Sequence, residues 1–380
     1  MPDPEFELEE LFDPEALQYA EEGVRVDVFL NPQGGAFATG EPKSPTGILA
    51  DGKKLPDKIK VVHTLGKLRA VLLGVCDNDV LPAWYPTPDG SMGNEVDGPP
   101  GQTKAEFSPY HFTRCRNQLN KFASLLEDEG IEVYRAPLTP LDIGKSDPVG
   151  LGATWAREEI TVIGNNVIVN QTRTPHRRKE LMALESFLSA IKSKFPDVNV
   201  VSPPATDWAR NTDWQNDPRP FLEGGDIFHV GDKDILVTMS YLATSPTGFR
   251  WLADLLEPQG FNVWPAYLKS DENDWEHGDY VFMPIREGLV AAYLPAFVDG
   301  LCPSPCLDWT VVPLTLQEVN EKFQANGIVI RPNVVMIPEG VPRVVRALEK
   351  KGVDVIEVPC NDVTYWQGGP RCATVALWYE

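Results

Sequence analysis

One short plan recurs along the chain, and it limits the architecture more than any other feature. Ile160-Thr-Val-Ile-Gly164-Asn-Asn-Val-Ile-Val169 is two apolar, largely β-branched runs joined by Gly-Asn-Asn. Ile227-Phe-His-Val-Gly231-Asp-Lys-Asp-Ile-Leu-Val237 repeats it, as do Val281-Phe-Met-Pro-Ile-Arg-Glu-Gly288-Leu-Val-Ala-Ala and Ile328-Val-Ile-Arg-Pro-Asn-Val-Val-Met-Ile337. Runs of strand length around a turn-forming segment read as β-hairpins. Their first strands begin at 160, 227, 281 and 328, which are 67, 54 and 47 residues apart. Helical patterns over 177–194, 247–257 and 341–351 follow three of them, the last stopped by Gly352 and followed by a strand over 353–358. A strand over 69–75, a helix over 114–129, Gly130 and a strand over 131–134 make a further unit of the same kind. Any α/β protein contains hairpins and helices, but matched lengths at regular spacing favour about five radial or stacked modules. Turns from such modules converge on a central cavity, the natural place for a site.

Composition narrows the function classes. With 42% hydrophobic and 9% aromatic residues, the 380-residue chain has material for a sizeable core and is neither disordered nor collagen-like. The 55 acidic against 34 basic residues leave a net charge of −21, which repels phosphate backbones and argues against a nucleic-acid partner. No apolar run approaches the ~18 residues needed to span a bilayer. The opening Met1-Pro2-Asp3-Pro4-Glu5 lacks the basic-then-apolar order of a secretory signal, so a cytoplasmic protein with no membrane contact is expected. Residues 1–60 open with Glu5, Glu7, Glu9 and Glu10 and continue into a Gly/Pro-rich stretch of weak periodicity. They read as a partly irregular N-terminal extension, with the patterned domain over 65–380. The six cysteines are no disulfide framework. Cys302-Pro-Ser-Pro-Cys306 reads as buried or loop thiols rather than a zinc site, since no second Cys or His pair lies nearby.

Four polar features stand where the chain enters successive hairpins or its last strand. Trp155-Ala-Arg157-Glu158-Glu159 precedes the first hairpin, and Glu223-Gly-Gly-Asp226 the second. Trp275-Glu-His277-Gly-Asp279 precedes the third, and Gln367-Gly-Gly-Pro-Arg371-Cys372 enters the final strand. Taken singly, each has a bland reading: a solvent turn, a satisfied imidazole, a small buried thiol. The glycines are expected to permit turns that a Cβ would resist. In an extended segment His277 and Asp279 would face one side. Equivalent places in pseudo-symmetric units should meet at the axis, gathering a thiol, an imidazole and several carboxylates. A thiolate is a nucleophile, an imidazole handles the proton, and carboxylates hold a cation. A planar guanidinium, with its fork of donors, fits that kit.

These residues resemble the guanidino-group-modifying enzymes, the pentein superfamily of amidinotransferases, arginine and agmatine deiminases and dimethylarginine hydrolases. The segment Val71-Leu-Leu-Gly-Val-Cys-Asp-Asn-Asp-Val-Leu-Pro82 and the stretch from Arg157 to Ile168 are similar to the amidinotransferase branch, whereas Glu223-Gly-Gly-Asp226 is closer to the hydrolases. The resemblance covers about 68–380 and implies a five-bladed α/β-propeller with a central active site. It implies Cys372 as nucleophile, His277 as proton carrier, Glu223 orienting His277, and Asp226 supporting that turn. Glu158 and Asp279 would grip the guanidinium, with Arg157 and Arg371 beside the substrate. Glu158 stands where the family usually carries Asp, and Arg371 where an uncharged residue or His is usual. The implied partners are a guanidino donor such as arginine and an amine acceptor, with a homodimer compatible and no metal or organic cofactor required. Transfer and hydrolysis share this residue set. A non-catalytic pentein binding protein and a zinc-assisted amidohydrolase are the remaining readings, the latter lacking a His-x-His pair.

Overall fold

The computed structural model describes residues 55–81 except 78, 102–138, 153–206 except 174–176, 178 and 179, 214–270, and 275–380. Most of the expected N-terminal extension therefore lies outside the described residues.

Fifteen strands form five separate three-stranded sheets, each built from an antiparallel pair and a third strand parallel to its middle member. In the second module β3 (Ile160–Ile163) and β4 (Asn166–Val169) make the hairpin, and β5 (Asn199–Val201) lies parallel to β4. The third repeats this with β6 (Ile227–His229), β7 (Asp234–Met239) and β8 (Asn262–Tyr267). The fourth has β9 (Phe282–Arg286), β10 (Leu289–Ala292) and β11 (Thr310–Pro313). The fifth has β12 (Ile328–Arg331), β13 (Val334–Pro338) and β14 (Asp354–Val358). All four hairpins are where the β-branched runs place them.

The first module is different, because its hairpin partner comes from the other end of the chain. β1 (Leu68–Leu73) pairs parallel with β2 (Glu132–Arg135) and antiparallel with β15 (Thr374–Tyr379). This closure joins the C-terminal strand to the first sheet and carries Cys372 to the mouth of that strand. No local turn signals it, so the sequence pattern shows only half the module.

Five crossovers need a parallel return, and helices supply four of them. Helices α1 (Pro109–Asp128), α2 (Glu180–Lys194), α3 (Pro246–Leu256) and α4 (Pro342–Glu349) serve modules one, two, three and five. α3 begins where the Ser245 hydroxyl accepts from the Gly248 N–H, with Pro246 at the first helical position. Module four crosses over by a loop containing Cys302 and Cys306, both buried and unbridged. The first strand of every hairpin is apolar and almost wholly buried, as the inner wall of a closed ring requires. Among the described residues no helix is long and apolar enough to cross a membrane.

Candidate active site

Short helical turns lead into the inner strands, and the polar residues ride on them. Ala156–Glu159 runs into β3, Gly224–Asp226 into β6, and Gly278–Tyr280 stands just before β9. His277 is the extended residue that caps the third turn (φ −126°, ψ 156°), so His277 and Asp279 share a side through a 3-10 turn rather than an extended run. The paired glycines also act differently from expectation. Neither Gly224 nor Gly225 has a left-handed φ. What matters is close approach: a Cβ on Gly225 would stand 2.7 Å from His277 Cγ and 3.1 Å from Glu158 Oε1. In the last turn the left-handed residue is Gln367 (φ 66°), one position before the Gly-Gly pair.

From the thiol outward, the groups form one connected set. Cys372 Sγ lies 3.5 Å from Asp279 Oδ2 and accepts a hydrogen bond from Asn326 Nδ2 at 3.0 Å. That sulfur and one oxygen each of Glu158 and Asp279 all lie within 4.8 Å of one another. Glu158 Oε2 is 3.4 Å from His277 Nε2, and the same nitrogen is 2.8 Å from Glu223 Oε2. Glu223 is held by the Arg173 N–H at 2.7 Å, and Glu158 by the Gly225 N–H at 2.8 Å. Asp226 does not reach the cluster. Its carboxylate accepts from the Gly278 N–H at 2.9 Å, the Thr238 hydroxyl at 2.5 Å and the Thr244 N–H at 3.2 Å, tying two turns together. The Cys372, His277, Glu158, Glu223 and Asp279 side chains are all buried, but in polar company rather than grease.

The two arginines take up different posts. Arg371 Nη1 donates to Asp279 Oδ2 at 2.7 Å and to the Gly225 carbonyl at 3.1 Å, while Nη2 donates to the Ile227 carbonyl at 2.7 Å. Its charge is thereby spent on one carboxylate and the β6 turn. Arg157 is not brought to the cluster: its Nε donates to the Arg371 carbonyl at 2.8 Å, and its side chain lines a separate cavity behind Arg371.

Asn326 is the residue that motif reading missed. Its amide Oδ1 accepts from the Arg371 N–H at 3.1 Å and the Cys372 N–H at 3.0 Å while Nδ2 contacts the sulfur. The signal was positional. Glu158, Asn326 and Cys372 each stand two residues before their inner strand, which begin at 160, 328 and 374.

Burial and crowding set the protonation states. Burial pushes Glu158 up to about 7, against the pull of His277. Burial opposes the imidazolium at His277, yet Glu158, Glu276 and Glu223 outweigh it and hold the ring well above its ordinary value. Burial, then Asp279 and Glu158, pushes the Cys372 thiol well up, with the Gly369 backbone and Asn326 pulling back. Burial lifts Asp226 to about 6. Asp279 Oδ1 is buried without a partner among the described residues, an acceptor that awaits a donor. Two overlapping triads, Glu158 with Glu223 and His277, and Glu158 with Asp279 and Cys372, have donors spaced closely enough to hold a cation.

No protein-family model matches the chain. In sequence it is 26% identical over 288 residues to inosamine-phosphate amidinotransferase 1 of Streptomyces glaucescens, covering 65% of this chain and 79% of that protein. It is 23% identical over 197 residues to arginine deiminase of Treponema denticola, covering 42% of this chain and about half (48%) of the deiminase. In structure it matches SxtG, an amidinotransferase from Microseira wollei in the saxitoxin biosynthetic pathway, with a TM-score of 0.68 at 19% identity over 85% of this chain and 97% of that one. Inosamine-phosphate amidinotransferase StrB1 from Streptomyces griseus gives 0.67 at 17% identity over 84% and 97%. The N-terminal domain of ArgZ, an arginine dihydrolase from cyanobacteria, gives 0.59 at 16% identity over 82% and 98%. The fold is therefore the pentein α/β-propeller of five pseudo-symmetric modules. In sequence and fold the chain is thus similar to amidinotransferases, with arginine deiminase and dihydrolase relatives beside them.

Proposed function

We propose that the protein is an amidinotransferase that moves an amidino group from a guanidino donor such as arginine to an amine acceptor. The observation that carries the reading is the sulfur of Cys372 beside carboxylate oxygens of both Glu158 and Asp279. A guanidinium gripped by those carboxylates presents its central carbon to the sulfur. Its N–H groups also satisfy the unpartnered Asp279 oxygen.

Burial, and then the same two carboxylates, raise the thiol's pKa, so a bound cation that neutralises the carboxylates lowers it. The thiolate then forms a C–S bond to the guanidinium carbon. The C–N bond to the donor amine breaks, and that amine leaves with a proton from His277, which Glu158 and Glu223 keep charged. An amidino-cysteine remains. The acceptor amine attacks it, returns a proton to His277, and the sulfur departs as thiolate. Glu223 and the Asp226-braced turn position His277 throughout.

A second reading, hydrolysis by water in place of the amine, is supported by the Glu223-Gly-Gly-Asp226 motif and the deiminase and dihydrolase relatives. Incubation with arginine, with and without glycine, lysine or ornithine, distinguishes the two. Loss of the donor's amidino group only when an acceptor is present marks transfer; ammonia and citrulline without an acceptor mark deimination. No turnover of any guanidino compound under either condition would remove both.

A further inference from the structure

Behind the Arg371–Cys372 segment, the ring of inner strands encloses a second cavity of about 50 Å³, large enough for a few waters or one small anion. Although the chain carries 55 acidic residues, among the described residues no carboxylate lines it. Its polar lining is Arg157, His229, Thr161, Thr64, Tyr379 and the rear of Arg371. Arg371 and Tyr379 are already engaged, the latter donating its hydroxyl proton to the Val329 carbonyl at 2.5 Å. Arg157 is not: beyond its Nε bond to Arg371 O, its guanidinium has no hydrogen-bond or ion-pair partner among the described residues. Burial and the neighbouring Arg371 lower its pKa to about 10, which leaves it charged near neutrality.

His229 supplies the second, independent observation. Only 3% exposed, its ring meets the Val62 backbone, which favours a proton on the nitrogen facing it, while Nδ1 is buried with no partner among the described residues. Burial, with His63, Arg157 and Arg371 adding to it, pushes the ring down to about 3. The orphaned Nδ1 is thus a lone pair that seeks a donor, beside a guanidinium that seeks an anion. The Thr161 hydroxyl accepts from Asn170 Nδ2 at 3.1 Å, which leaves its own proton to give.

We propose that this rear cavity binds a small oxyanion carrying its own hydroxyl, of the bicarbonate or hydrogen-phosphate class. Its charged oxygen lies on Arg157 and its O–H donates to His229 Nδ1. The ligand is independent of the guanidino chemistry at the front. It nonetheless touches the same segment, since Arg157 holds both the Arg371 and Cys372 carbonyls, at 2.8 and 3.2 Å.

Thermal-shift and calorimetric titrations of the full chain with sodium bicarbonate, sodium phosphate and sodium nitrate, at constant ionic strength, test this. Bicarbonate or phosphate should bind saturably, and whichever does identifies the source. Nitrate, equally flat and charged but without a hydroxyl, should bind about tenfold more weakly, because Nδ1 stays unpaired. Arg157→Met should abolish saturable binding of all three. If that variant does not fold, His229→Phe carries the test, and it should erase the preference over nitrate. Non-saturating, equal shifts for the three salts would overturn the proposal, as would a preference unchanged in His229→Phe.

Discussion

The two ends of the central channel are built from neighbouring residues of the same modules, yet they carry opposite electrostatics. At the front, Glu158, Glu223 and Asp279 crowd around His277 and Cys372. At the rear, Arg157 and His229 face a space that no carboxylate among the described residues lines. The partition between them is the Arg371–Cys372 segment: the Arg371 guanidinium meets Asp279, and its carbonyl meets Arg157. One residue's change of direction thus separates an anionic pocket from a cationic one. The difference teaches that alternation along the chain, Arg157 one way and Glu158 the other, sorts charge more sharply than overall composition does.

Breaking the front end should cost most at the sulfur. Cys372→Ser is expected to reduce turnover at least about 10³-fold and to abolish labelling by a haloacetamidine, read by product analysis and mass spectrometry. A comparable activity in that variant would end the covalent mechanism. Next comes Gly225→Ala, whose methyl group would meet His277 Cγ at 2.7 Å. Displacing the ring should lower kcat about 10²-fold while circular dichroism stays native.

Asn326→Ala tests the residue that braces the partition from the front. It leaves the Cys372 N–H unpaired, while the Arg371 N–H keeps its bond to the Asn326 backbone carbonyl, a cost of about 1–3 kcal/mol in stability. It also removes a donor from the sulfur, so the pH midpoint for alkylation of Cys372 should move upward.

The smallest effect is a pH dependence of opposite sign at the two ends. Glu158 and Asp226 titrate higher folded than unfolded, rising from 4.5 to about 7 and from 3.8 to about 6. Between those values the folded state binds more protons, so their contribution is fully present below about pH 4 and is lost as pH rises through 6 to 7. His229 falls from 6.5 to about 3, so its contribution is present above 6.5 and lost as pH falls toward 3. Tm measured from pH 5 to 8 on the unliganded protein should therefore decline. Glu158→Gln should flatten that decline, whereas His229→Phe should steepen it between pH 5 and 6.5 and soften the loss at lower pH.

The hairpins of modules two to five were legible because each is local: Ile160–Ile163 and its partner lie a short turn apart, and β-branched runs with glycine turns declare them. Cys372, His277, Glu223, Glu158 and Asp279 could be nominated for the same reason, each being placed by its own turn. Asn326 escaped because an asparagine in Gln-Ala-Asn-Gly carries no motif, only a position in the repeat. The substitute crossover in module four was legible only as a missing helical pattern.

By itself, the sequence determined the strands, most crossover helices and the chemical kit, since these depend on side-chain period and turn chemistry within a few residues. Tertiary structure alone decided three things: the pairing of β15 with β1 across the whole chain, the burial that lifts Glu158 and Cys372, and which way each arginine faces. Each depends on groups distant in sequence brought close in a medium that excludes water, and neither distance nor dielectric is written in the order of the residues.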